Sequence, residues 1–95
     1  MYAYHLCNVS YRLENEIGAV KRGSGGLWLA ADSILIKTEK KWLYLPNSKI
    51  RCAEIERNNL KLFLTDRLKI NITAKNVYML NALYHYIEGV TWSGA

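Results

Sequence analysis

The sequence predicts a mainly β (α+β) domain, an antiparallel sandwich or partly open barrel of about seven to eight short strands capped by one C-terminal helix. Three observations predict it. Short apolar runs are broken by turn signals roughly every 8 to 10 residues. Two late segments alternate strictly, with Leu60, Leu62 and Leu64 against Lys61, Phe63 and Thr65, then Leu68, Ile70 and Ile72 against Lys69, Asn71 and Thr73. Near Thr73 the apolar period changes from 2 to 3.6. The 95 residues are the length of one domain, 1–95. An apolar fraction of 51% with 22% charged residues, six Gly and one Pro excludes a low-complexity chain.

A first strand is expected over about Tyr2 to Leu13, with both faces partly apolar, and a second over Ile17 to Arg22 after the polar turn Glu14-Asn15-Glu16. Gly23-Ser24-Gly25-Gly26 reads as a hairpin loop, since glycine accepts turn conformations freely. It lacks the Lys-Ser/Thr that a phosphate-cradling loop needs after its last glycine, and Leu27-Trp28 follows instead. Leu27 to Ala30, Ile34 to Thr38 and Trp42 to Leu45 read as further strands, separated by Ala31-Asp32-Ser33 and Glu39-Lys40-Lys41. Pro46 has no N–H and ends its strand. The next strand, Lys49 to Arg57, has its apolar phase slipped by one residue, which predicts a β-bulge near Cys52–Glu54. Asn58-Asn59 fits a tight hairpin turn because Asn tolerates positive φ.

A helix is predicted over about 74–88, with Thr73 as N-cap and Gly89 just beyond its end. Val77, Leu80, Leu83, Tyr84 and Ile87 form its apolar stripe. Burying such side chains contributes roughly 1.5–3 kcal/mol each, comparable in sum with the net stability of a small domain.

The segments Gly26-Leu27-Trp28-Leu29, Asp32-Ser33-Ile34-Leu35-Ile36, Trp42-Leu43-Tyr44-Leu45-Pro46 and Ile50 run as strand, tight turn, strand, basic turn and an aromatic strand ending in Pro. Over roughly residues 15 to 89 this cadence, closed by the helix carrying Leu80, Leu83, Tyr84 and Ile87, resembles the pleckstrin-homology-like superfold in its lipid-sensing and bacterial branches. Its rhythm is also similar to the N-terminal part of the archaeal chemotaxis adaptor family, which links response regulator to rotary motor. The resemblance implies a helix-plugged barrel used as an interaction module. Trp92 lies beyond the expected helix end, and Lys21-Arg22 and Lys37 are the candidates for an inositol phosphate clamp, with a spacing that is not diagnostic.

Catalytic chemistry finds little support. Nucleophilic catalysis needs a nucleophile beside an oriented base, and neither His5 nor His85 sits in such a motif. His5, Cys7, Cys52 and His85 lack metal-ligand spacing, so no cofactor is expected. Cys7 and Cys52 read as free thiols buried in strands, with a disulfide between them as the alternative. The carboxylate pairs Glu14/Glu16 and Glu54/Glu56 fit charged, exposed strand edges.

Binding remains. Thirteen Lys and Arg against eight Asp and Glu give a net charge of +5, which favours an anionic partner through long-range attraction. Phe63, Tyr78, Tyr86 and Trp92, with Met79, are expected to anchor a protein partner or a second copy of the chain. Lys21, Arg22, Lys37, Lys40 and Lys41 are the candidate contacts for acidic lipid headgroups or nucleic acid. Trp28, Trp42, Tyr44 and Phe63 near Lys40, Lys41, Lys61 and Lys69 would provide stacking platforms for single strands, with Lys61, Phe63, Lys69 and Asn71 on one outward face. No segment of about 18 apolar residues spans a bilayer. The start, Met1 to Cys7, has no basic, apolar leader pattern, so a cytoplasmic location is expected.

Overall fold

The computed structural model describes residues 3–93, with side chains through Gly89. Seven antiparallel strands form one sheet: β1 (Ala3–Glu14), β2 (Ala19–Ala30), β3 (Ser33–Lys37), β4 (Trp42–Pro46), β5 (Ile50–Glu56), β6 (Asn59–Leu64) and β7 (Lys69–Thr73). The helix α1 (Val77–Ser93) follows. The spatial order is β4-β3-β2-β1-β7-β6-β5, so β4 and β5 are the two open edges. β1 joins the halves, pairing with β2 along its length and with β7 over Ser10 to Glu14.

The core follows from the alternation. Val9 and Tyr11 on β1, Ile34 and Ile36 on β3, Leu60, Leu62 and Leu64 on β6, and Ile70 and Ile72 on β7 all point inward and are buried. Leu80, Leu83 and Ile87 of α1, each 2% exposed or less, complete this core. The helix packs chiefly on β5.

Several boundaries differ from the sequence reading for physical reasons. Gly23 to Gly26 is not a loop; β2 runs straight through it. The glycines there serve close approach. A Cβ on Gly25 would lie 2.1 Å from the Lys37 carbonyl oxygen, and one on Gly23 would meet the Tyr11 ring at 3.0–3.2 Å. The connection between β1 and β2 is instead Asn15–Gly18, where the Asn15 side chain accepts from the Ile17 and Gly18 amides. The β5–β6 turn sits one residue earlier than expected, on Arg57-Asn58, with Arg57 at φ 54°. The predicted bulge falls at Arg51, between Ile50 and Cys52. A further bulge at Leu6 lets His5 face outward while Cys7 faces inward. The helix starts at Val77, capped by the Asn76 carboxamide, which accepts from the Met79 amide at 3.1 Å, so Thr73 is not the cap. It continues through Gly89 rather than ending there.

Candidate interaction site

Strand register brings three of the expected platform aromatics, Trp28, Trp42 and Tyr44, onto one face, adds His5 to them and leaves Phe63 on the other half of the sheet. On the outer side of the β1–β4 half, His5 pairs with Trp28, Trp28 with Leu35, Leu35 with Tyr44, and Lys37 with Trp42. The Trp28 ring lies 5.0 Å from His5 and meets Trp42 edge-on at 5.8 Å. Both spacings are within the favoured range for aromatic pairs. Lys37 Nζ stands 5.4 Å from the Trp42 ring centroid, a cation–π distance. Trp42 and Tyr44 nevertheless remain 47% and 56% exposed. Gly26 leaves room between these rings, because a Cβ there would sit 3.1 Å from both His5 Nε2 and Trp28 Nε1.

The β3–β4 turn carries Lys40 and Lys41 beside this face. Thr38 holds it: its hydroxyl donates to the Lys41 carbonyl at 2.9 Å and accepts from the Lys41 amide at 3.1 Å. Lys37, Lys40 and Lys41 therefore stand together at one end of the aromatic face. Lys21 and Arg22 do not join them. They are consecutive in β2 and project to opposite faces, and Arg22 lies four residues, roughly 13 Å, along the strand from the partner of Lys37. Arg22 instead lines a polar cleft of about 570 Å³ with Ser10, Arg12, Ser24, Asn59 and Thr73.

The expected protein anchors Phe63, Tyr78 and Tyr86 do not form one patch. Tyr78 is 90% exposed at the start of α1. Tyr86 is turned inward. Its hydroxyl accepts from the Asn47 carboxamide at 3.0 Å and lies 3.3 Å from the Ala31 carbonyl, tying the helix to two connections. Phe63 is half-buried on β6, opposite Cys52 and Lys69. Trp92 lies outside the described side chains.

The Lys61–Phe63–Lys69–Asn71 platform is also occupied by internal contacts. Asn71 is buried and donates to Glu14 at 2.5 Å. Glu14 also lies 3.0 Å from Arg12 and 3.8 Å from Lys69. Glu14 thus offsets part of the positive charge that Lys69 would offer a phosphate.

Cys52 is exposed, correcting its expected burial, while Cys7 is buried. Burial pushes the Cys7 thiol above its ordinary range, which disfavours the reactive thiolate. Among the described residues no three His, Cys, Asp or Glu side chains gather as metal ligands, and no helix is long and apolar enough to cross a membrane. No protein-family model matches the chain, and no curated protein matches it in sequence.

Proposed function

We propose that the chain is a non-enzymatic protein-interaction module, an adaptor of pleckstrin-homology-like type acting in the cytoplasm, where its two free thiols would stay reduced. One observation carries the reading: half-buried Trp28 and exposed Trp42 and Tyr44 are gathered on one sheet face, the last two left open to solvent. Aromatic clusters with a cationic rim are the usual energetic centre of a protein interface. Lys37, Lys40 and Lys41 on that rim select an acidic partner over a second copy of this basic chain.

Selection from a displayed library of random peptides tests the reading. Peptides enriched in acidic and apolar residues are expected to bind the native domain. Trp42→Ala should then cost about 2 kcal/mol, roughly thirtyfold in affinity, with the fold unchanged by circular dichroism. Selected peptides indifferent to Trp42→Ala and Tyr44→Ala would refute it.

The cleft holding Arg12 and Arg22 favours a second reading, an anion-binding module for acidic lipid headgroups or single-stranded nucleic acid. Binding to oligothymidylate or acidic vesicles would then fall steeply with salt. The absence of such binding at low salt removes it.

A further inference from the structure

We propose that the partner docks as an added β-strand on β4, an inference that rests on the interaction reading above and specifies how the partner is held. Of the two open edges, β5 is protected. It carries Arg51, Glu54 and Glu56, it is bulged at Arg51, and α1 packs on it. Charge, bulges and covering elements are how proteins blunt an edge. β4 has neither charge nor bulge. Its sequence is Trp42-Leu43-Tyr44-Leu45-Pro46, and proline stands only at its end.

The β3–β4 ladder shows which backbone groups are free. The Thr38 amide donates to Lys41 O at 2.8 Å, and the Asn47 amide donates to Asp32 O at 2.9 Å. Between these two bonds the antiparallel alternation makes Ile36–Leu43 and Ile34–Leu45 the hydrogen-bonded pairs. Trp42 and Tyr44 therefore direct their N–H and C=O groups away from β3, toward the open edge. Pro46, next in the same phase, has no N–H to leave unpaired.

Both faces of β4 offer something to a strand laid beside it. Outward, Trp42 and Tyr44 extend the aromatic face. Inward, Leu43 and Leu45 line an apolar cavity of about 210 Å³ with Ile34, Ile36, Leu64 and Leu68. Leu43, Leu45 and Leu68 remain only half-buried around it. An added strand alternates its side chains, so one set would enter the cavity mouth and the other would join the aromatic face.

Charge identifies the occupant. Lys37, Lys40, Lys41 and Lys49 bracket β4, against Asp32, Glu39 and Asp66. This positive balance, on a chain of net charge +5, fits an extended acidic segment carrying an apolar residue at every second position. A second copy pairing β4 with β4 would bring like charge against like.

Hydrogen exchange on the intact chain tests the register, using an acidic peptide selected from the displayed library. In the free protein the Trp42 and Tyr44 amides should exchange fast and the Leu43 and Leu45 amides slowly. The bound peptide should protect Trp42 and Tyr44. N-methylating alternate residues of the peptide should weaken binding about tenfold or more in one phase and little in the other. If neither phase matters while Trp42→Ala still abolishes binding, strand addition is overturned and the interaction reading stands. If no selected peptide depends on Trp42, the interaction reading itself falls. A dimer by light scattering with protected Trp42 and Tyr44 amides and no peptide would overturn the acidic occupant in favour of self-pairing.

Discussion

At Gly25 an added methyl group would lie 2.1 Å from the Lys37 carbonyl oxygen, and backbone cannot give way as a flexible side chain can. Gly25→Ala is therefore expected to cost about 3 kcal/mol. Thermal unfolding should register this as a fall of roughly 12–24 °C, at about 4–8 °C per kcal/mol in a domain of this size. Gly89 is the opposite case. It sits inside α1 with nothing near its Cβ direction, so Gly89→Ala should raise stability by about 0.5–1 kcal/mol through helix propensity alone. Glycine in a sequence announces freedom without saying whether a turn or a close approach uses it, which is why Gly23 to Gly26 reads as a loop and folds as strand. Cys7 supplies the pH-dependent case. Its buried thiol ionises above its ordinary range, so above about pH 9 the unfolded chain loses the proton that the folded chain keeps. The stability it contributes is present below that pH and declines as pH rises past it. Urea unfolding of wild type and Cys7→Ala at pH 8 and pH 10 should show the gap between them narrowing at the higher pH.

The strands and helix were legible where burial imposes a period. β6 and β7 alternate because one face meets the core and the other meets solvent, and the Leu80–Leu83–Ile87 seam repeats because one helix face is buried. Leu83→Ala should cost about 2–5 kcal/mol, since the core between sheet and helix cannot collapse fully into the space left; the denaturant midpoint checks it, and a loss under 1 kcal/mol would mean the seam does not close this core. Element ends were less legible because competing residues carry the same chemistry. Thr73 and Asn76 can both cap a helix, and only the path of β7 decides that Asn76 does. The site was least legible of all. Trp28 and Trp42 are fourteen positions apart, and they meet only because β2, β3 and β4 pair in register. Sequence spacing gave Tyr86 as a free anchor on the helix, whereas long-range hydrogen bonds to Asn47 and Ala31 turn it into a tether. The bulge at Leu6 that brings His5 to the aromatic face has no local signature in the chain.

Across the whole molecule, charge and apolar contact act at different stages of an encounter. The net charge of +5 and the lysines around β4 act over about a Debye length, ~8 Å at physiological salt, before any side chain touches. Trp42, Tyr44 and the cavity behind Leu43 and Leu45 act only after contact. Arg12 and Lys69 contribute less to this field because Glu14 neutralises part of their charge. For an acidic partner, the two stages should separate in the kinetics. Raising salt should lower the association rate steeply and leave the dissociation rate nearly constant. Trp42→Ala should do the reverse, raising dissociation with little change in association. A neutralising double substitution, Lys40→Gln with Lys41→Gln, should flatten the salt dependence of association without altering unfolding. Stopped-flow titration using Trp fluorescence measures all three. A nucleic-acid partner releases condensed counterions on binding and takes them up again on leaving, so its dissociation would also quicken with salt, and its affinity would fall as a power of salt concentration with a slope set by the number of phosphates contacted. Salt sensitivity confined to the association step is thus the signature of a module steered by its lysines and held by its aromatic face.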